Sequence, residues 1–130
     1  MATIFTKIVN GEIPCYKVAE TDDFLAFLDI NPLQEGHTLV IPKKEVNYIF
    51  DVEDSLHAGL WNFAKSVGKA IEKVVPCERI GITVIGLEVP HAHIHLIPLK
   101  TLYDMDFRKP KLKFTEEEFE EIARKIGSAM

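Results

Sequence analysis

The longest regular pattern in the chain is a run of apolar residues spaced about 3.6 positions apart. It extends from Leu56 to Val74 and predicts an amphipathic helix, because this period places the apolar side chains on one face. Asp51 or Asp54 is the predicted N-cap of this helix, and Pro76 lies beyond its end. Such a helix needs an apolar surface to cover.

Two shorter stretches also show helical spacing, one at each end of the chain. The first dozen residues carry apolar side chains at this spacing until Gly11 and Pro14 interrupt the pattern. Near the C-terminus, Thr115 and Glu118 form a predicted capping box ahead of an apolar stripe that reaches Ile126. The C-terminal pattern predicts a second amphipathic helix.

Between these helical segments, β-branched and aromatic residues occur in short runs bounded by glycine, proline, asparagine or aspartate. These runs predict five strands, at residues 15–20, 24–29, 37–41, 79–85 and 89–98. The elements follow the order β-β-β-α-β-β-α, so the strands are grouped instead of alternating with helices. This order predicts an α+β fold, in which the long helix and the C-terminal helix pack on an antiparallel five-stranded sheet.

Length and composition indicate one domain, 1–130. The chain has 130 residues, of which 47% are hydrophobic, enough to bury a sizeable core. Fifteen basic and 20 acidic residues give a net charge of −5, which disfavours nucleic acid and anionic membranes as partners. We expect a cytoplasmic protein, because neither a long apolar span nor a secretion signal is present. Cys15 and Cys77 lie far apart and are expected to be reduced.

Several single features are compatible with ordinary structural roles. Trp61 lies one position off the apolar stripe of the long helix, so it either borders the core or forms a subunit contact. The clustered basic stretch at 108–113 is expected to be a solvated loop. His57 lies on the long helix and is expected to have no functional role.

Three of the five histidines, His91, His93 and His95, occupy alternate positions in an apolar run. On a strand this spacing places the three imidazoles on one face and Ala92 and Ile94 on the other. A neutral imidazole can attack phosphorus, and the phosphohistidine that results is readily cleaved by water. The pattern therefore indicates a site for two-step phosphoryl or nucleotidyl transfer.

Other interpretations of these histidines stay open on the residues alone. A His-x-His pair is a familiar zinc arrangement, although the only nearby carboxylate is Glu88. The side chains could also line a non-catalytic ligand pocket, or lie on the surface by chance. His37 is a further candidate, because it follows Gly36 at the start of a predicted strand, where an imidazole can point into a site formed by strand ends.

Together these stretches resemble the histidine triad (HIT) family, whose signature is His-φ-His-φ-His-φ-φ, with φ an apolar residue. Residues 91–97 have the sequence His-Ala-His-Ile-His-Leu-Ile. The resemblance covers nearly the whole chain and implies a single HIT domain, because further blocks follow the family's order at 4–8, 11–14, 24–32 and 36–43. Within the family, the chain resembles the small Hint-like nucleotide hydrolases.

The resemblance implies a homodimer of α+β subunits that binds a purine mononucleotide or a nucleotide conjugate. It implies that His93 attacks the α-phosphorus to form a nucleotidyl-histidine, while the carbonyl of His91 orients this nucleophile. His95 and His37 would contact the phosphate, and Asp29 would accept hydrogen bonds from the ribose hydroxyls. The substrate would be a nucleoside phosphoramidate or a dinucleotide polyphosphate, with a non-catalytic nucleotide-binding module as the alternative.

The resemblance also implies the lining of the nucleotide pocket. The base would lie among the apolar residues Phe5, Ile8, Ile13, Phe27 and Ile30. Other residues expected to contact the nucleotide are Asn31, Gly86, Glu88 and Val89. No cofactor and no metal ion are expected, because the cysteine pair that gives some relatives a zinc site is absent near Phe5.

The chain departs from the family's pattern just before the triad. Relatives of this type usually carry Gly-Gln-Ser/Thr-Val there, whereas this chain has Gly86-Leu87-Glu88-Val89-Pro90. The hydroxyl that would donate a hydrogen bond toward the leaving group is therefore replaced by the Glu88 carboxyl. The asparagine usually found in the preceding strand region also has no counterpart in residues 80–85. These departures bear on the choice of substrate.

Overall fold

A five-stranded antiparallel sheet forms the centre of the structure, a computed structural model that describes residues 2–130. Its strands are β1 (Lys17–Glu20), β2 (Phe24–Leu28), β3 (Thr38–Pro42), β4 (Arg79–Thr83) and β5 (Ile94–Leu99), arranged in the order β1-β2-β3-β5-β4. The helices are α1 (Ile4–Val9), α2 (Asp54–Val74) and α3 (Glu116–Ser128), and short 3₁₀ turns occupy Ile49–Asp51 and Leu102–Met105. The predicted α+β architecture is confirmed.

Both faces of the central strands are covered, which explains why every residue of β2 and β3 is buried. On one face, α2 and α3 pack on the sheet through an apolar core that includes Phe24, Val40, Leu60, Ile71, Ile94 and Phe119. On the other face, α1 covers a smaller cluster formed by Phe5, Leu25, Phe27, Leu39 and Ile41. The sheet therefore separates a large structural core from a thinner layer beneath α1.

The helices begin close to the predicted positions, with one correction. Glu53 caps α2, in place of Asp51 or Asp54, because its longer side chain curls back to accept from the amides of Ser55 and Leu56. The predicted capping box of α3, by contrast, is present at Thr115. None of the helices within residues 2–130 combines the length and apolar character needed to cross a bilayer.

Several strand ends differ from the predicted ones. β1 begins at Lys17 instead of 15, β4 ends at Thr83 instead of 85, and β5 begins at Ile94 instead of 89. The last difference has a clear cause, because the amide of Ala92 donates to the carbonyl of Val46 at 2.7 Å, outside the ladder between β3 and β5. The first two triad histidines therefore precede the strand.

Gly36 shapes the entry into β3. Its φ of +90° is disfavoured for residues with a side chain, and a Cβ atom there would lie 2.9 Å from a methyl group of Val75. Glycine at this position therefore lets the backbone turn sharply just before β3, where it packs closely against Val75 at the end of α2. This turn places His37 at the start of β3, with Nε2 of its ring 3.0 Å from Nδ1 of His95.

Candidate active site

A cavity of about 450 Å³ lies on the α1 side of the sheet. It contains all ten residues expected to contact a nucleotide, namely Phe5, Ile8, Ile13, Phe27, Asp29, Ile30, Asn31, Gly86, Glu88 and Val89. Of the four expected catalytic histidines, His93 and His95 line the cavity, whereas His91 and His37 do not. A second cavity of about 580 Å³, between residues 14–17 and α3, contains no histidine.

Side-chain alternation brings the triad to this cavity. Ala92, Ile94 and Leu96 belong to the core beneath α2 and α3, so the intervening histidines face the α1 side. His95 is paired with Leu39 across the ladder, and both side chains line the cavity. The predicted division of the run into an apolar face and a histidine face is therefore confirmed, although only His95 lies within the strand itself.

His93 is held by a short hydrogen bond to the backbone. Its Nδ1 atom lies 2.7 Å from the carbonyl oxygen of His91. Because a carbonyl oxygen only accepts, the proton of the neutral ring is on Nδ1 and the lone pair is on Nε2. Phe5 packs edge-on against the ring, with the centroids 5.0 Å apart. The ring thus has a fixed orientation and an unprotonated nitrogen opposite the anchored one.

His37 lies behind His95 as seen from the cavity. The amide of Leu33 donates to Nδ1 of His37 at 3.0 Å, so the proton of the neutral His37 ring is on Nε2. This Nε2 lies 3.0 Å from Nδ1 of His95 and donates to it. The proton of the neutral His95 ring is therefore on Nε2. His37 does not line the cavity itself, and its ring reaches the cavity only through this contact with His95.

Burial keeps three of the histidines neutral near pH 7. The pKa of His37 falls to about 3, mainly because the ring is buried and secondarily because His95 is close. Burial likewise lowers the pKa of His95 to about 4, and His93 adds to the effect. The pKa of His91 is also lowered by burial, although the hydrogen bond to the Pro42 carbonyl opposes this. The site therefore presents neutral imidazoles with defined tautomers.

Asp29 follows directly after β2, at the floor of the cavity. Its Oδ1 atom accepts from the amide of Asn31 at 2.8 Å. Burial raises the pKa of this carboxyl group, while the Asn31 amide acts in the opposite direction. The second oxygen, Oδ2, lies 3.5 Å from Nε2 of His37, farther than His95, so the His37 proton is directed to His95. Oδ2 therefore keeps acceptor capacity for a ligand.

One group of side chains within residues 2–130 has donor atoms close enough to surround a metal ion. Asp29, His37 and His95 each offer one atom, all within 4.8 Å of one another. However, Nδ1 of His37 is already used as the acceptor for the Leu33 amide, so Nε2 carries the ring proton. A metal ligand needs a lone pair at that position. The hydrogen bonding therefore opposes metal binding by this group.

Several residues that line the cavity were not expected from the sequence, and Phe107 is the one that packs against the triad. This residue lies in the irregular segment after β5, and its ring packs edge-on at 5.0 Å from the ring of His95. No periodicity marks it, because it belongs to no helix or strand. The adjacent basic stretch is a loop as predicted, but Lys111 is partly buried and its ammonium donates to the carbonyl of Lys109. Further lining residues not anticipated are Ile4, Pro14, Cys15, Leu28, Leu39, Ile85 and Leu87.

The electrostatic character of the cavity is unusual for a site expected to hold phosphate. Asp29 and Glu88 both line it; besides the effect of burial, the charge of Lys111 lowers the pKa of the Asp29 carboxyl group and the charge of Glu88 raises it. No lysine or arginine is among the described residues of its lining. The lining side chains with N–H groups that can donate to the oxygens of a phosphate are therefore the histidines and Asn31.

The chain is similar in sequence and in structure to several known proteins. The chain is 37% identical to a HIT-like protein of Borreliella burgdorferi, over 95% of each chain. It is also 37% identical, over 98% of each chain, to the adenosine 5'-monophosphoramidase hnt1 of Schizosaccharomyces pombe. The crystal structure of a Hit-like protein from Bartonella henselae superposes with a TM-score of 0.85 at 32% identity, covering 98% of this chain and 96% of that one. The HIT domain model matches residues 10–102. With its histidine-lined cavity and these similarities, the chain belongs to the HIT domain family.

Proposed function

We propose that this protein hydrolyses a purine nucleoside phosphoramidate through a covalent nucleotidyl intermediate on His93. The observation that carries the proposal is the 2.7 Å hydrogen bond between Nδ1 of His93 and the carbonyl of His91. It leaves the lone pair on Nε2 of a ring that lines the cavity. Membership of the HIT family and the similarity to the S. pombe monophosphoramidase support the same assignment.

In the first step, Nε2 of His93 attacks the α-phosphorus and the bond from phosphorus to the leaving nitrogen breaks. The leaving amine takes the electron pair of that bond together with a proton from solvent water, and departs as a neutral amine. As the new bond forms, the positive charge on the His93 ring is stabilised by the His91 carbonyl that accepts from Nδ1. The Nε2 proton of His95 is available to a non-bridging oxygen of the phosphate.

In the second step, water attacks the same phosphorus and displaces His93. The bond between phosphorus and Nε2 breaks, its electron pair returns to the ring, one proton of the attacking water passes to solvent, and the nucleotide is released. The apolar lining around Phe5 and Phe27, whose rings pack 5.5 Å apart, would hold the purine in both steps. Asp29 would hold the ribose through Oδ2, which does not accept from the Asn31 amide. The base, the sugar and the reacting phosphorus then have separate contacts.

The acidic lining favours a phosphoramidate over a dinucleotide polyphosphate. A polyphosphate leaving group adds several negative charges to a cavity lined by Asp29 and Glu88, and Lys111, whose charge acts on Asp29, lies outside the described lining. An amine leaving group is neutral or cationic and meets no such repulsion. We therefore place phosphoramidates first and dinucleotide polyphosphates second among the candidate substrates.

The test is turnover of adenosine 5'-phosphoramidate by the purified protein, compared with the His93→Ala variant. Loss of the covalent step should lower the rate by about 10⁴-fold or more. Nucleotide binding should persist, because the apolar pocket and Asp29 are intact. Acid quenching during turnover should trap a nucleotidyl group on His93 of the wild type.

A non-catalytic nucleotide-binding module is the alternative. It would be supported if the wild-type protein bound adenosine monophosphate but released no amine from the phosphoramidate and no product from a dinucleotide polyphosphate. Hydrolysis without any label on His93 would instead contradict the covalent route. The two results are distinct, because the first concerns turnover and the second concerns the intermediate.

A further inference from the structure

Glu45, Thr3 and Thr6 form a hydrogen-bonded group beside His91, outside the cavity. Oε1 of Glu45 accepts from the Thr3 amide at 2.8 Å and from the Thr6 hydroxyl at 2.7 Å. The Thr3 hydroxyl lies 3.0 Å from Nδ1 of His91. Because these three residues do not line the cavity, they are not in a position to contact a nucleotide there.

The protons of this group have one consistent arrangement. Nε2 of His91 lies 2.8 Å from the carbonyl oxygen of Pro42, which only accepts, so Nε2 carries the ring proton. Nδ1 of His91 is then an acceptor and receives the hydroxyl proton of Thr3. The Thr3 oxygen in turn accepts from the Thr6 amide at 3.1 Å, while the Thr6 hydroxyl donates to Glu45. A continuous series of bonds thus joins an exposed carboxylate to a buried ring.

His91 connects this group to the reacting ring. Its side chain is fully buried and is held at both nitrogens, by Thr3 on one side and Pro42 on the other. The same residue supplies the carbonyl that accepts from Nδ1 of His93 at 2.7 Å. A side chain held at two points restricts the rotation of its own backbone. The direction of the His91 carbonyl therefore depends on contacts made by its ring.

We propose that Glu45, Thr3 and Thr6 are positioning residues for His93. By holding the His91 ring they fix the His91 carbonyl, which keeps the proton on Nδ1 of His93 and leaves Nε2 free to react. The kinetic consequence of this inference rests on the proposed function, whereas the effect on the His93 tautomer does not.

The experiment compares histidine ring ¹⁵N spectra and steady-state hydrolysis of adenosine 5'-phosphoramidate for four full-length variants. Thr3→Val removes the hydroxyl next to His91, and Thr3→Ser keeps it. Glu45→Ala removes the acceptor from an exposed position, so folding should tolerate it. Thr115→Val is the matched control, because Thr115 caps α3 by the same type of bond, 3.1 Å from the Glu118 amide, and does not line the cavity.

In the wild type, the ¹⁵N shifts of His93 should show one tautomer, protonated at Nδ1. In Thr3→Val and Glu45→Ala the Nδ1 and Nε2 shifts should move toward each other, because the proton is no longer confined to one nitrogen. The kcat of both variants should fall roughly 10- to 100-fold with little change in KM, as expected for a misoriented reacting group. Thr3→Ser should have the His93 ¹⁵N shifts and the kcat of the wild type, and Thr115→Val should change neither.

The inference is overturned if the His93 shifts of Thr3→Val and Glu45→Ala match those of the wild type. It is also overturned if Thr115→Val reproduces the loss of kcat, since capping alone would then account for it. A wild type that hydrolyses nothing would reject the proposed function and leave the spectra to decide the positioning role. If Thr3→Val fails to fold, Glu45→Ala provides the same comparison.

Discussion

At the scale of single residues, hydrogen-bond partners decide what each histidine can do. The Leu33 amide sets the tautomer of His37, His37 sets that of His95, and the His91 carbonyl sets that of His93. Each partner supplies only a donor or only an acceptor at the nitrogen in question, so the neutral ring has one favourable state. Three similar side chains thereby acquire different capacities in one site.

Glu88 is the residue whose substitution should change substrate preference. It is exposed at the edge of the cavity, so Glu88→Gln should leave the fold intact while removing repulsion toward a polyphosphate. We expect kcat/KM for a dinucleotide polyphosphate to rise roughly three- to tenfold relative to the phosphoramidate, an effect weakened by added salt. Glu72→Gln on α2 makes the same charge change away from the cavity and should leave the ratio unchanged. An unaltered ratio in Glu88→Gln would contradict this role.

The buried histidines should make stability fall as pH falls. His37 and His95 have folded-state pKa values of about 3 and about 4, below the ordinary 6.5 expected for the unfolded chain. Between these values the unfolded state binds more protons, so the free energy of unfolding decreases toward acid by up to about 1.4 kcal/mol per pH unit for each ring. Urea unfolding at pH 7, 6 and 5 measures this slope. His37→Gln should have a shallower slope than the wild type, and parallel slopes would refute the assignment.

At the scale of secondary-structure elements, the contact between α3 and β1 depends on a helical glycine. A Cβ atom at Gly127 would lie 2.8 Å from the carbonyl oxygen of Val18, closer than real Cβ contacts. Gly68 in α2 has no atom within 4 Å of the corresponding position. The two glycines are therefore a matched pair for separating helix propensity from packing.

Gly127→Ala should destabilise the protein by about 1–3 kcal/mol, because overpacking outweighs the gain in helix propensity. Gly68→Ala should stabilise it by up to about 1 kcal/mol, since only the propensity term applies. Chemical denaturation of the two variants beside the wild type measures both effects. Stabilisation by Gly127→Ala would show that α3 shifts freely on β1.

Hydrophobic periodicity predicts the position of the helices and strands but not the hydrogen bonds at their ends. Periodicity located α2 and α3 and all five strands to within a few residues, because it reflects which face of each element is buried. It misplaced the cap of α2 and the start of β5, since both depend on hydrogen bonds. The Glu53 carboxylate and the Val46 carbonyl satisfy amides that an apolar pattern does not describe.

At the scale of the whole molecule, we expect a homodimer. β4 is an edge strand of the sheet, and Ile82 on it is 50% exposed, with Ile85 and Leu87 also exposed nearby in sequence. Light scattering at micromolar concentration should give about twice 14.7 kDa. Ile82→Lys should shift the mass toward 14.7 kDa, because a buried charge at an interface is unfavourable. A wild-type mass of a single chain would reject the dimer.

Trp61 was expected either to border the core or to form a subunit contact. It is partly buried against the core, and its indole N–H donates to Nε2 of His57 at 3.1 Å. The structure therefore places it at the border of the core, one of the two positions expected from its offset on the helical stripe. His57, expected to have no functional role, is the acceptor of this bond.

The order of the elements and the two faces of the histidine run are encoded locally, and the resemblance to the HIT family supplied the main residues of the cavity. These follow from local periodicity and from the HIT motif, which are properties of neighbouring positions. The packing of the chain, by contrast, sets the contact of His37 with His95, the packing of Phe107 against the His95 ring, and the hydrogen bond between Thr3 and His91. Thr3 is 88 positions from His91 in the chain, and Phe107 belongs to no periodic element. Such partners are set by how distant segments pack, and a repeat along the chain carries no record of that packing.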